Sequence, residues 1–515
     1  MGQFLFFYER PEPSTWAYLS TFLVVGIFFL FHRFWSLRNL DLLLIILLTP
    51  GLLMVYEGRE QERSLPQPRS AHRVSEANEA SWPSVKRELL PDSPLVHLNQ
   101  EDQQKQDQAI EAILAEESSV SSEASDASAH VGDSSELSQA RKTQFYGFVW
   151  LLGVGGLWTI RMLVDTAMVR RPLLESNLTI GGQIFLGVCL FLFLMTNVLT
   201  SSSPNQRTGK QLGPGYVLLN MLPDLPTTPT RDAEASPEGI VPGFGEIQAA
   251  PLVIARVLAF LANLMLIAGM VLVAHSHFSN IRTGVGAALL MLLLPYTAQM
   301  CGRVDHVLPG ALLVMAIYHY RRPAMSGFFL GCAAGLVYYP FFLLPLWCSF
   351  YWQNGLKRFL SGLGISLLGL SIALVFFGGD SSLLSHLRQM YGVFLPAVEG
   401  LEGVWGLGWH PYFRLPLLVA FVLLAASFVF WPAQKNLGTL LCCSAAIMAA
   451  AQFWHGYGGG LYMAWYLPLV LLTIFRPNLE DRTAMTMVIP LGKFGKNKSP
   501  ARRQDEDSLV IPPAA

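Results

Sequence analysis

An arginine, a carboxylate and an imidazole fall within four consecutive positions of an otherwise apolar stretch: Arg303, Asp305 and His306, in the run CGRVDHVLPG. A carboxylate can take a proton from an acceptor hydroxyl, and an arginine presents a fixed fork of donors to a phosphate. An imidazole changes charge near neutral pH and can serve as base or anion contact. A second run, WHGYGGG from Trp454 to Gly460, sets His455 beside four glycines in five residues. Glycines so concentrated at a helix boundary cost stability and are usually kept for a tight turn or a close backbone approach. Tyr338 and Tyr339 add two adjacent rings, and the segment from Gly379 to Phe413 carries Asp380, His386, Arg388, Glu399, Glu402, Trp405, Trp409 and His410. Rings stack on sugar faces while carboxylates take hydroxyl protons, so a set of this composition suits a carbohydrate ligand.

Each group has a plainer use. Asp305 with Arg303 and His306 can be an ion pair closing a turn between two helices. His386 and Arg388 can touch lipid headgroups. Trp405, Trp409 and Trp454 fit an interfacial aromatic belt as well as a sugar platform, and His455 can be a helix cap. No P-loop, no GxGxxG after a strand, no HExxH and no GxSxG is present.

The elements that must position these residues are membrane spans. The chain has 515 residues, 52% of them hydrophobic and 14% charged, about half the charge of an ordinary soluble domain. Its apolar residues gather in long runs: 16–31, 40–56, 145–163, 180–199, 251–274, 283–300, 307–320, 325–350, 358–378, 413–431, 437–453 and 461–475. A net charge of −1 gives no basic field for nucleic acid. The six cysteines sit in or beside apolar runs with no CxxC and no zinc-type spacing, and read as packing residues. No cofactor motif is present, and a divalent-metal requirement is left open.

Residues 325–350 are longer than one crossing needs and contain Tyr338-Tyr339-Pro340 and Pro345. Two short helices, out and back, place every basic loop on one side: 32–38, 161–171, Arg282, Arg321-Arg322, Lys357-Arg358, Lys435 and the tail from Arg476. The positive-inside rule makes that side cytoplasmic and gives about thirteen crossings. The predicted fold is all-α: a polytopic transmembrane helical bundle with two hydrophilic loop insertions. Its parts are an N-terminal transmembrane pair (1–56), an acidic extracytoplasmic insert read as disordered (57–142) and a second pair (143–199). A Pro/Ser/Gly-rich extracytoplasmic loop (200–250), the core bundle (251–475) and a cytoplasmic tail (476–515) follow. Within the insert, Glu101 onward has helix formers with Ile110, Ile113 and Leu114 on one face. On this topology Arg303, Asp305, His306, Tyr338, Tyr339, the 379–413 segment and the WHGYGGG run all emerge on the outer face.

The stretch from about Gly302 to Arg358 resembles the multispanning glycosyltransferases of the C superfamily, and most of all the polyprenol-phosphate-mannose-dependent family 87 group. There a polar cluster opens a helix, a basic Arg-Arg-Pro turn follows and a small-residue helix comes next. The matching run here is RRPAMSGFFLGCAAGLVYYP, from Arg321 to Pro340. Tyr339 stands where that family usually carries Lys, and the first outer loop offers Glu57 and Glu60 where the superfamily places a catalytic Asp. The resemblance implies an extracytoplasmic site that moves a hexose such as mannose from a polyprenyl-phosphate donor to a glycan or glycolipid acceptor of the cell envelope. The expected setting is the plasma (inner) membrane. In that scheme Asp305 is the base, and Arg303 and Arg388 hold the donor's phosphate. His306, Tyr338, Tyr339, His386, Trp409, His410, Trp454 and His455 line the substrate. The alternatives are a transporter or lipid flippase without covalent chemistry, and a scaffold recruiting a partner through residues 57–142. The expected partners are membrane lipid, donor and acceptor, and not nucleic acid.

Overall fold

The structure is a computed structural model. It describes residues 11–65, 127–168, 174–201, 245–377, 383–392, 400–433 and 435–477, with a few positions between 218 and 228. Asp380, Glu399, the helix expected from Glu101 and the tail beyond 477 lie outside the described residues.

The fold is all-α, with no strand among the described residues. In chain order the helices are α1 Pro13–Phe28, α2 Leu37–Ile46, α3 Leu48–Ser64, α4 Ala127–Asp165, α5 Ile180–Leu199, α6 Gly245–Val273, α7 Ile281–Leu293 and α8 Pro295–Met300. They continue as α9 Val304–Tyr318, α10 Pro323–Leu336, α11 Leu344–Tyr351, α12 Leu356–Phe377 and α13 Leu383–Met390. The last four are α14 Val404–Leu407, α15 Arg414–Ser427, α16 Leu437–Trp454 and α17 Leu467–Ile474. Six helical segments are long and apolar enough to cross a membrane, and five shorter apolar helices accompany them. The chain is a multi-pass membrane protein.

Local sequence sets the helix boundaries. Asn436 and Thr439 form a reciprocal capping box at the start of α16, and Thr179 and Asn280 cap α5 and α7 through their side chains. Proline opens α1, α8 and α10, where its missing N–H would have had no partner.

Helix α16 is the bundle's centre: nearly every residue is buried. The outer helices expose large apolar side chains instead, among them Phe22 on α1, Phe185 on α5, Leu368 on α12 and Leu423 on α15. Two seams rest on small residues, which let backbones approach without a hydrophobic drive from lipid. In the first, Gly51 and Gly58 of α3 face Leu151 and Gln144 of α4, while Gly147 of α4 faces Val55. In the second, Gly327 of α10 lies against the Phe359 carbonyl and Gly362 of α12 against that of Ala324.

The insert is shorter at both ends than its polar composition suggests, because α3 runs on to Ser64 and α4 starts at Ala127. Pairing supports these extensions. Gln144 donates to the Gly58 carbonyl and to Glu62, and Arg141 to Glu62. Good helix formers with a partner helix stay helical where an isolated polar segment would not.

The chain reverses direction after α10. Tyr338 and Tyr339 stand at one end of the bundle, and a short 3₁₀ turn over Tyr339–Leu343 leads into α11. Helix α11 ends back at the other end, where the Tyr351 hydroxyl donates to the Tyr320 carbonyl and its ring packs on Phe359. Basic groups from distant loops meet at that second end. Arg38 donates to the Glu175 carbonyl, Arg282 to that of Ser176, and Arg161 and Arg476 share Asp165.

Candidate functional site

The opposite end gathers the polar cluster, and α9 shows how its sequence builds it. Pro309, four residues after Asp305, has no N–H to close a helical bond to the Asp305 carbonyl. The indole Nε1–H of Trp465 takes that carbonyl at 3.2 Å. Gly310 lies so close to the Ala464 carbonyl that any Cβ would collide with it, so α9 and the Met463–Trp465 turn meet backbone to backbone.

Two polar arrangements grow from this contact. The Arg303 guanidinium grips the Asp305 carboxylate with both arms, Nε to Oδ1 at 3.0 Å and Nη2 to Oδ2 at 2.8 Å. Asp305 is only 2% exposed, whereas the Arg303 side chain is 25% exposed. Beside them the Ala464 N–H donates to the Tyr296 hydroxyl at 3.0 Å, and that hydroxyl lies 3.0 Å from His306 Nδ1. The arrangement that uses every donor has Tyr296 donating to Nδ1, leaving the imidazole hydrogen on Nε2, 3.8 Å from Asp305 Oδ2. The Tyr462 ring stacks on His306 at 4.2 Å.

The WHGYGGG run closes the site. Gly458 and Gly460 take left-handed backbone angles that side chains disfavour, and Gly459 lies against the Gln452 carbonyl. The Tyr457 N–H donates to His455 Nδ1 at 3.1 Å, and the Glu402 N–H donates to the Gly456 carbonyl at 2.8 Å, tying the α14 loop to the glycine turn. Tyr339 stacks on His455 at 4.8 Å and packs on Trp454 and Trp465. Arg414, the first residue of α15, donates twice to the Trp454 carbonyl. His455 lies in the loop beyond α16. Burial pushes its imidazole well below the ordinary value, with Arg414 and His306 adding to the effect and Asp305 opposing it.

The structure thus brings together Arg303, Asp305, His306, Tyr338, Tyr339, Trp454 and His455. Trp409 and His410 sit farther out on the α14 loop, the first packed on Trp405 and the second on Tyr412. His386 and Arg388 ride on α13, whose Met390 end approaches Gly335, and Arg388 is exposed. Glu57 and Glu60 belong to the last turns of α3.

Sequence reasoning missed Arg59, Arg414, Tyr296, Tyr462, Gln452 and Trp465. Arg59 was hidden by reading 57–142 as a disordered insert. It lies on the extended α3, its guanidinium over the Phe148 ring at 5.7 Å and within electrostatic reach of Glu402, Arg303 and Tyr462. The buried Trp454 Nε1–H and the Gln452 Nε2 amide have no hydrogen-bond partner among the described residues. Pro309 was the available signal for Trp465, since a proline one turn into a helix frees a carbonyl that needs a donor.

The chemistry of the site is that of a donor-rich, aromatic-walled cluster at one end of a membrane bundle. Among the described residues, Arg59, Arg303 and Arg414 lie there with Asp305 and Glu402, and the Trp454 and Gln452 N–H groups have no acceptor. The fold and site define a multi-pass helical membrane protein with one polar, aromatic site at the end opposite its basic loops. No protein-family model, curated protein or solved structure matches the chain.

Proposed function

We propose that the protein is an integral membrane glycosyltransferase that moves a sugar from a polyprenyl-phosphate donor to an acceptor on the extracytoplasmic side of the plasma membrane. The observation that carries this reading is the surplus of donors. Trp454 Nε1–H and Gln452 Nε2 await acceptors beside a sequestered Asp305–Arg303 pair, with the Arg59 guanidinium in electrostatic reach of the same cluster. A lipid-linked sugar phosphate supplies both an anion for the guanidinium groups and hydroxyls for the indole and amide.

In this mechanism Arg59 and Arg303 bind the donor phosphate. Arg303, being partly exposed, exchanges the Asp305 carboxylate for the phosphate and thereby frees the base. Asp305 takes the proton of an acceptor hydroxyl as that oxygen bonds to the anomeric carbon. The bond from the anomeric carbon to the phosphate oxygen breaks, its electron pair leaving with the polyprenyl phosphate. His306, held by Tyr296 and Tyr462, and the Tyr339–His455–Trp454 wall orient the sugar.

The test is transfer of radiolabel from a polyprenyl-phosphate sugar in proteoliposomes. Asp305→Asn, inserted and folded as judged by its melting curve, should lose about 10²–10⁴-fold in rate, the usual worth of a general base. Unchanged transfer removes Asp305 from the mechanism. Uptake of substrate with no covalent change by the unaltered protein makes it a transporter or flippase instead.

A further inference from the structure

A second polar site lies on the other face of α8 from Tyr296. Pro295, Ala298 and Gln299 of that helix form one wall of a crevice closed by Trp16 of α1, by Phe193 and Asn197 of α5, and by Thr227. The Trp16 and Phe193 rings stack at 5.4 Å and make an apolar side. Thr227 donates to the Gln299 carbonyl at 2.8 Å and fixes the backbone there. Three polar atoms of the lining residues are buried without a hydrogen-bond partner among the described residues: Trp16 Nε1–H, Asn197 Oδ1 and Gln299 Nε2. Asn197 itself is only 3% exposed. Leaving a buried donor or acceptor unsatisfied leaves its desolvation cost uncompensated, and three around one crevice point to something else that satisfies them.

The set is two donors and one acceptor, with no ionised side chain among the lining residues. That pattern matches an uncharged hydroxyl, which accepts from an indole or amide N–H and donates to a carbonyl oxygen. The enclosed part of the crevice has room for one hydroxyl or one water. The same two helices expose Tyr18, Phe22, Phe185 and Leu192, so both lie at the lipid-facing periphery of the bundle. We propose that this crevice binds an uncharged, hydroxyl-bearing ligand, with the headgroup hydroxyl of a neutral membrane lipid as its source. The site is independent of the reaction proposed above.

The probe is a diazirine-bearing diacylglycerol incorporated with the full-length protein in lipid nanodiscs, with crosslinked peptides mapped by mass spectrometry. Saturable labelling of the segments around Trp16, Asn197 or Gln299 is expected, displaced by unlabelled diacylglycerol but not by triacylglycerol, which lacks the hydroxyl. Displacement by free glycerol at comparable occupancy keeps the hydroxyl site and assigns it a soluble polyol. Asn197→Leu and Gln299→Leu should each weaken labelling about 10-fold. Gln299 is less deeply buried, so its variant decides the matter should Asn197→Leu fail to fold. Triacylglycerol competing as well as diacylglycerol, or unchanged labelling of a folded Gln299→Leu variant, overturns the proposal and leaves the three atoms to a buried water.

Discussion

The two ends of the bundle both bury charge, and they do so in opposite ways. At the basic-loop end, Arg161 holds Asp41 through two bonds of 2.7 and 2.9 Å and reaches Asp165 at 3.0 Å, while Arg476 meets the other oxygen of Asp165 at 3.5 Å. Arg161 and Arg476 face Asp41 and Asp165, Gly438 leaves space that the Arg476 guanidinium fills, and Arg38 at the same end donates to the Phe28 and Glu175 carbonyls with its Nε–H unpaired among the described residues. At the other end, Arg59, Arg303 and Arg414 face Asp305 and Glu402, with Arg59 over the Phe148 ring and within electrostatic reach of Glu402. The first network ties α2, α4 and the chain beyond α17 together and satisfies itself. The second is tied as firmly by backbone contacts but keeps donors in reserve. Paired carboxylates make the first a joint, and the unpaired Trp454 and Gln452 donors beside the second are what the proposed ligand would meet.

Breaking the joint should have the largest effect on the fold. Asp165 is 1% exposed, and Asp165→Ala leaves the buried Arg476 without its carboxylate. Loss of one partner from such a pair costs about 3–5 kcal/mol. A melting curve in detergent should drop sharply, while any surviving folded fraction keeps its substrate affinity. A variant as stable as the parent would show that the two ends do not differ in this way.

At the other end the corresponding loss should be read in binding. Arg59→Gln removes a cation whose contacts within the protein are the Phe148 ring and the field of Glu402, so stability should fall far less than in Asp165→Ala. If Arg59 takes the donor phosphate, losing a charge-assisted bond worth about 1.5–3 kcal/mol raises the KM for the lipid-phosphate donor by one to two orders of magnitude. An unchanged KM, with transfer otherwise measurable, would remove Arg59 from the phosphate site. A melting point that falls as far as that of Asp165→Ala would make Arg59 a structural group.

Gly310→Ala probes what positions the reserve. A methyl there must push α9 off the Ala464 carbonyl, which overpacks a backbone contact at a cost of about 1–3 kcal/mol. The displacement strikes the bond from Trp465 to the Asp305 carbonyl. Transfer should therefore fall more than stability does. Equal transfer by parent and variant would mean that this close approach is not what sets Asp305.

Much of this architecture was legible in the sequence. Apolar runs disclosed the helices, and the distribution of Arg and Lys forced the reversal at Tyr338-Tyr339, because each loop is short and its charge has a side. The two partners of Asp305 within the CGRVDH run were also visible, since local spacing alone brings Arg303 to the carboxylate. What stayed hidden depends on contacts between distant segments. Arg59 sits in a polar stretch that looks unfolded until α4 pairs with it, and Arg414 looks like a charge at the start of the 413–431 run until the Trp454 carbonyl is found under it. His386 and Arg388 ride on α13, a separate short helix whose end packs on Gly335 and Tyr338. Emerging on the same face of a membrane fixes only the height of a residue, and α13 stands beside Gly335 and the outer side of Tyr338.

The smallest effect expected is also the most specific to the ligand end. His455 lies in the loop after α16, surrounded by Tyr339, Tyr462, Trp465, Arg414, His306 and Asp305 and fully buried. Its folded value is depressed below the ordinary imidazole value near 6.5, so below that pH the unfolded chain binds a proton that the folded protein does not. The stability its neutral form contributes is complete above about pH 6.5 and is lost as pH falls toward the folded value, at no more than about 1.4 kcal/mol per pH unit. The melting point should therefore decline on acidification from pH 7 to pH 5, and His455→Gln should flatten the decline by that share. The ion network at the basic-loop end contains no histidine, so Asp165→Ala should lower the melting point at every pH in this range without changing the slope. If the His455 variant keeps the parent's slope, the acid sensitivity belongs elsewhere and the imidazole is not held neutral by its burial.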